Sequence, residues 1–209
     1  MDQIINFDSW PRKHHFEAFM GMDSPHLSIA FTVNVMPLIK KKEINLFSTL
    51  LFLIHQTCQE IPEFHYRLLY DGSVVNYHQL DLSFNILAED GLFSNHRMTP
   101  AQDYDVFRKD VQLAIEMKNK EGKIEIDPNQ KQNMILTSFL PWITFTGLRE
   151  PTFNKFDSIP RITWGNYSGN GDLPISITAH HGFIDGSHIG QFYSSLNHKL
   201  SLCISDGAV

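Results

Sequence analysis

Near the C-terminus the hydrophobic period switches from two to three-and-four within one short span, and this switch limits the fold more than any other feature of the chain. Over residues 173–179, Ile175 and Ile177 alternate with Ser176 and Thr178, the pattern of a half-buried strand. After Gly186, Ile189, Phe192, Tyr193, Leu196, Leu200 and Cys203 recur at helical spacing, with Gln191, Ser195, Asn197 and Lys199 on the opposite face. The corner between strand and helix holds His180, His181, Gly182, Phe183, Ile184 and Asp185. A side chain at a strand end projects from a rigid support, and Gly182 and Gly186 let the backbone turn sharply or let a ligand come close.

Two histidines and a carboxylate at such a corner admit three readings. Histidine is neutral near pH 7 yet readily protonated, so one of the pair suits general acid–base chemistry. Asp185, four residues after His181, then orders the loop or touches the ring. A metal site would draw on His180, His181, Asp185 and His188, but adjacent strand residues point to opposite faces and do not readily share an ion. The third reading is a polar turn in which Asp185 caps the helix. Acid–base chemistry accounts best for this density of functional groups.

The rest of the chain is mixed α and β. Ser9 or Trp10 with Pro11 opens a short helix that Gly21 closes, and residues 26–35 alternate as a strand. Pro37 begins a long helical stretch to about Glu60. Residues 64–70 and 73–77 flank Asp71 and Gly72 as a hairpin, and residues 82–88 continue the same sheet. Thr99 and Pro100 cap a second long helix that Gly122 ends, with Phe107, Val111, Ala114 and Ile115 inside. Residues 134–139, 143–145 and 161–167 are further strands, and residues 168–172 form the turn before the histidine strand. Strands outnumber helices, so the expected fold is an α+β two-layer sandwich, a mixed β-sheet covered by helices.

Composition sets outer limits. With 209 residues, 42% hydrophobic and 19% charged, the chain reads as one globular domain spanning residues 1–209. A net charge of -6 disfavours nucleic acid and anionic membrane surfaces as partners. Its lysine cluster, Lys40, Lys41 and Lys42, reads as a solvated helix start. The N-terminus lacks the basic and apolar sections of a secretory signal, and no apolar run reaches the ~20 residues of a membrane span. Cys58 and Cys203 lie on apolar helical faces, which points to free thiols in a reducing cytoplasm.

The histidine corner followed by an amphipathic C-terminal helix resembles the chloramphenicol acetyltransferase family, whose fold is shared with dihydrolipoyl acyltransferase cores. Phe7, Asp8, Trp10, Arg12, Lys13, His15, Phe16 and Phe19 near the N-terminus are similar to that family's opening helix. So, in order, are Ile61 to Phe64, Ser138 with Leu140, Pro141 and Trp142, and Pro160 with Ile162, Thr163, Gly165 and Tyr167. The resemblance implies a CoA-dependent O-acetyltransferase with acetyl-CoA as co-substrate, no permanently bound cofactor and a small-molecule acceptor, chloramphenicol first. It also implies a homotrimer with its active sites at subunit interfaces. His181 matches the general base, whose tautomer the family fixes through its own backbone carbonyl. Ser138 matches the hydroxyl that stabilises the oxyanion, Thr163 the threonine that binds acceptor or intermediate through water, and Tyr167 the aromatic under the CoA adenine. Asp185 and Arg12 match the buried pair that holds the corner. Without the resemblance, Arg12 would read as a surface charge, Ser138 and Thr163 as ordinary strand residues, Tyr167 as rim packing and His180 as a structural neighbour.

This sequence also departs from the family. Asn45 and Asn166 fall where the family has two lysines on the CoA 3′-phosphate. An amide carries no charge, so either the donor phosphate is weakly recognised or Lys41, Lys42 or Arg161 substitutes. Leu148 and Glu150 fall where the family has an aromatic residue and a leucine, and Phe19 where some members have tyrosine. A carboxylate pointing inward would sit badly against a neutral, apolar antibiotic. The alternatives are therefore acetylation of a different hydroxyl or amine, or a catalytically silent homologue that binds a small ligand.

Overall fold

A computed structural model of the chain describes residues 1–41, 43–88, 91–117 and 131–205. In chain order the elements are β1 (Gln3–Ile4), α1 (Lys13–Met20), β2 (His26–Asn34), α2 (Met36–Ile39), α3 (Leu46–Glu60), β3 (Tyr66–Leu68), β4 (Val74–Asn76) and β5 (Asp81–Leu87). They continue with β6 (Phe93–Met98), α4 (Tyr104–Glu116), β7 (Met134–Leu140), β8 (Arg161–Gly165), β9 (Asp172–His180) and α5 (Gly186–Ser205).

The main sheet has six strands in the order β2-β9-β8-β7-β5-β6, parallel at β5–β7 and β7–β8 and antiparallel elsewhere. Its two faces differ in chemistry because the strands alternate. Phe31, Ile175, Trp164 and Phe139 are register neighbours across four strands and face the helices. Phe47 of α3 packs its ring on Phe84, Phe139 and Trp164, and Phe192 of α5 packs on Phe31. One register step away, Ala30, Ser176, Thr163 and Ser138 form a row on the opposite face. Ser28, Thr178 and Arg161 follow in the next row. The chain between β7 and β8, residues 141–160, lies over this polar face. Ser176 Oγ donates to Leu148 O (2.6 Å), the Glu150 amide donates to Thr178 Oγ1 (3.2 Å), and His26 Nε2 donates to Asp157 O (2.6 Å). The result is the expected α+β two-layer sandwich, with helices on one face and an irregular segment pinned to the other.

Several local expectations change. The long helix from Pro37 is two helices: α2 stops at Ile39, and Asn45 starts α3 by accepting the Ser48 amide at 3.0 Å. Lys41 is not a solvated helix start, since its ammonium donates to the Cys203 carbonyl at 2.6 Å and ties down the end of α5. Lys42 lies outside the described residues. The helix expected from Thr99 begins at Tyr104, because Asp103 accepts the Val106 amide at 3.0 Å; its expected stop at Gly122 falls outside the described residues. The hairpin around Gly72 (φ 85°) forms, yet its strands join β1 in a separate three-stranded sheet, while residues 82–88 belong mainly to β5 of the large one. Residues 143–145 are not a strand. Phe16, Trp10 and Phe183 pack together beneath the histidine corner, which fixes α1 against the end of β9.

Candidate active site

Gly182 sits at the corner because there is no room for a side chain. A Cβ there would lie 2.9 Å from the His180 ring and 2.9 Å from Phe16, and its φ is not in the left-handed region. Gly186 is different, since a Cβ would meet nothing closer than Ile29 at 3.9 Å. The tight turn sends the two histidines apart. His180 is 1% exposed; its Nδ1 accepts the Gly182 amide at 3.1 Å, so Nε2 carries the proton and donates to Lys155 O at 3.1 Å. Burial, reinforced by neighbouring His26, pulls its pKa down to about 4. His180 is therefore a neutral structural clasp between β9 and the 141–160 segment.

His181 faces the other way. Its ring stacks on Phe19 of α1, with centroids 3.9 Å apart and planes 18° apart. Nδ1 is enclosed and lies 3.2 Å from Asp185 Oδ1 without hydrogen-bond alignment. The Asp185 carboxylate is thus a polar neighbour of Nδ1. Nε2 makes no hydrogen bond among the described residues. A proton on Nδ1 is favoured by the carboxylate, and this leaves the Nε2 lone pair as a base.

Arg12, just before α1, grips the corner. Its Nη1 and Nη2 bind Asp185 Oδ2 and Oδ1 at 2.8 and 3.0 Å, Nε reaches Gly182 O at 3.2 Å, and Nη2 also reaches His181 O at 3.5 Å. The expected pair exists, but it is not fully buried: the side chains are 17% and 29% exposed. The Arg12 hydrogen bonds hold the Asp185 carboxyl below its ordinary range, against an opposing push from burial. His188 does not join a metal cluster with these groups. Its Nδ1 accepts the Asp185 amide at 2.9 Å and its Nε2 lies 3.6 Å from Glu63.

Ser138 and Thr163 are register partners on the polar face. Ser138 is half-buried and its hydroxyl makes no hydrogen bond among the described residues. Thr163 is 1% exposed, and its hydroxyl spends its one proton on Glu150 Oε1. Neither residue is near His181 in the same chain. Thr163 pairs with Ser176, five residues before His181, which is roughly 16 Å along the strand at the usual rise. Proton transfer needs contact of about 3 Å. Tyr167, Asn166 and Asn45 are all exposed, and Asn45 spends its carbonyl oxygen on the α3 cap. Of the proposed substitutes for the missing lysines, Lys41 is engaged at Cys203 and Arg161 in a buried pair with Asp157 at 2.5 Å, while Lys42 lies outside the described residues. A cleft of about 450 Å³ beside Asn45 is instead lined by Arg108, Lys109 and Gln112. Sequence reasoning did not reach that cleft, because α3 and α4 meet only in the fold.

The chloramphenicol acetyltransferase family model matches residues 2–197. A chloramphenicol acetyltransferase of Clostridium perfringens is 27% identical over 94% of this chain and 97% of its own, and one of Bacillus pumilus is 26% identical over 94% and 92%. A solved chloramphenicol acetyltransferase superposes with TM-score 0.84 at 30% identity, covering 96% of this chain and all of that one. The dihydrolipoamide acetyltransferase of Azotobacter vinelandii shares the fold at TM-score 0.63 and 19% identity, over 90% of this chain and 86% of its own. A two-layer acyltransferase fold with this corner defines an acyltransferase. The chain belongs to the chloramphenicol acetyltransferase family, a family of CoA-dependent O-acetyltransferases.

Two expectations follow from this geometry. His181→Ala should lower turnover by ~10²- to 10⁴-fold at nearly unchanged stability. His180→Asn, whose Oδ1 can keep the hydrogen bond from the Gly182 amide, should retain most activity and change the pH profile of stability instead. A buried base with a depressed pKa penalises folding once the unfolded chain is protonated. Its stability is therefore complete above about pH 6.5 and declines as pH falls toward about 4, and the asparagine should flatten that slope in denaturant titrations. Equal kinetic loss in the two variants would reverse the assignment.

Arg12→Ala and Asp185→Ala should each cost about 1.5–3 kcal/mol, less than a fully buried pair, and a double-mutant cycle should show coupling. The depressed carboxyl pKa means the contribution is intact above about pH 4 and lost as pH falls through the lowered value. Additive losses would mean that the fork does not act as a unit.

Proposed function

We propose that this protein transfers acetyl from acetyl-CoA directly to a hydroxyl of chloramphenicol, as a cytoplasmic homotrimer of single-domain subunits whose sites lie between chains. The supporting observation is the disposition of His181, with Nδ1 against Asp185, Nε2 unbonded and the ring held by Phe19. The acceptor hydroxyl gives its proton to Nε2 as its oxygen attacks the thioester carbonyl. Ser138 of a second subunit donates its unspent hydroxyl to the oxyanion, an interaction typically worth ~10²- to 10³-fold in rate. Collapse expels the CoA thiolate, which takes the proton back from the imidazole. Asp185 and Arg12 position the corner, and Tyr167, 39% exposed, offers a face for adenine.

Support for the shared site comes from the roughly 16 Å between His181 and the Ser138–Thr163 row of its own chain. Trp142, Ile143, Phe153 and Phe156 on the 141–160 segment are 66%, 50%, 68% and 44% exposed, an apolar surface suited to a second copy. Among the described residues no helix is long and apolar enough to cross a membrane.

The decisive assay follows thiol release from acetyl-CoA with chloramphenicol. Light scattering should give about three times the chain mass. Refolding His181→Ala chains together with Ser138→Ala chains should restore activity at least ~10-fold above either parent, because hybrid interfaces contain one intact site. No recovery in verified hybrids would overturn the shared site, and no thiol release would overturn the activity.

At the CoA phosphate, Arg108 and Lys109 beside Asn45 supply the charge that Asn45 and Asn166 lack. Arg108 meets Asp105 only across an exposed 3.7 Å pair, which is worth little and is readily exchanged for a phosphate. Wild type should prefer acetyl-CoA over acetyl-dephospho-CoA in kcat/KM, and Arg108→Ala with Lys109→Ala should erase most of that preference. A wild type indifferent to the phosphate, or a preference that survives both substitutions, would remove these cations from the site.

A further inference from the structure

Glu150 is a carboxylate held in place with no cationic partner among the described residues. The segment that carries it is pinned on both sides, by Ser176 Oγ on Leu148 O at 2.6 Å and by the Glu150 amide on Thr178 Oγ1 at 3.2 Å. Thr178 is itself braced by Ser28 at 2.8 Å. The carboxylate is half-buried and accepts one hydrogen bond, from the Thr163 hydroxyl. Neighbouring cations are engaged elsewhere: Arg149 donates to Ser24 at 2.5 Å, and both arms of Arg161 bind Asp157. A carboxylate has about four acceptor sites, so most of this one's capacity is unspent among the described residues, beside the polar row that includes Ser138. Removing such a group from water against a neutral, apolar ligand is unfavourable, whereas a ligand cation would complete it.

We propose that Glu150 selects the acceptor, and that this enzyme acylates alcohols whose ammonium group is separated from the reacting hydroxyl by two or three carbons, in preference to neutral alcohols. The inference rests on the reading that the Ser138–Thr163 row lines the acceptor side of the site. The spacing fits, because Thr163, which holds Glu150, is one strand from Ser138, roughly 4.8 Å, and a 1,2- or 1,3-amino alcohol spans a similar distance. Transfer remains to oxygen. The hydroxyl proton passes to His181, the new bond joins that oxygen to the acetyl carbon, and the carbon–sulfur bond breaks. CoA leaves as the thiol after taking the proton from His181. The ammonium is neither attacked nor deprotonated, since Glu150 favours its protonated form.

The test compares chloramphenicol with its deacylated amine, 2-amino-1-(4-nitrophenyl)propane-1,3-diol, which keeps the aryl ring and both hydroxyls but replaces the amide by an ammonium. At a pH below the amine's own pKa, wild type should give the higher kcat/KM with the amine. Glu150→Gln can keep the Thr163 hydrogen bond and should reduce the amine-to-amide ratio by at least ~10-fold; Glu150→Leu should reduce it further and raise the rate with chloramphenicol itself. Calorimetric affinity for the amine should fall by a similar factor in Glu150→Gln. An unchanged ratio together with unchanged affinity would overturn the inference. If no variant released thiol with either alcohol, acetyl transfer to this acceptor class would be wrong, and the calorimetric comparison alone would decide the role of Glu150.

Discussion

The guanidinium of Arg12 makes the histidine corner a defined structure. Three of its nitrogens reach Asp185, Gly182 O and His181 O, so one planar group from the start of α1 fixes the turn after β9 at three points. Lysine could not replace it, because a single ammonium cannot hold a bidentate carboxylate and a flanking carbonyl at once. The same helix brings Phe19 onto the His181 ring. Charge and packing therefore arrive together on one short element, and the imidazole is oriented by a carboxylate that is itself oriented by an arginine. The chain of constraints runs from Phe16 and Trp10 in the core, through Arg12, to His181 Nε2, which makes no hydrogen bond among the described residues.

A second constraint follows from strand alternation. Because Ile162 and Trp164 must face the helices, Thr163 must face away, and the same holds for Ser176 and Thr178 on β9 and for Ser138 on β7. A sheet that turns hydroxyls outward needs hydrogen-bond partners there, and the 141–160 segment supplies them to Ser176 and Thr178 from its backbone and to Thr163 from the Glu150 side chain. Its irregularity is the consequence: it follows the hydroxyl rows and not its own ladder. The segment also exposes Trp142 and Phe153.

How much of this could be read from sequence depended on distance along the chain and on period. The β9 strand and α5 were legible because seven alternating and eighteen helical positions lie in one uninterrupted run. The hairpin at Gly72 was legible from Asp71 and Gly72 alone. The break between α2 and α3 was not, since residues 40–45 carry no period and the deciding signal is one capping hydrogen bond at Asn45. Strand β6 (Phe93–Met98) was missed because it is an edge strand in which Ser94 alone is buried, so its hydrophobic alternation is absent. The contact of Arg12 with Asp185 spans 173 positions and was reachable only through the family resemblance. Glu150 stood out as a chemical misfit in an apolar setting, but the partner that turns it inward, Thr163, could be found only in the fold.

The two halves of the chemistry are built on different supports, and this separation governs how such an enzyme can change acceptor. The base depends on Arg12, Phe19 and the corner after β9, none of which touches residues 148–150 through any hydrogen bond described for those side chains. The acceptor side depends on residues 148–150, fastened at Ser176 and Thr178 by the Leu148 carbonyl and the Glu150 amide, so the side chain at position 150 is replaceable without removing either of these bonds. On the proposed role of Glu150, a carboxylate at position 150 would therefore leave the surroundings of His181 intact while inverting the electrostatic preference at the acceptor. In the proposed homotrimer this independence goes further, because the base and the acceptor wall would belong to different copies and each could vary on its own scaffold.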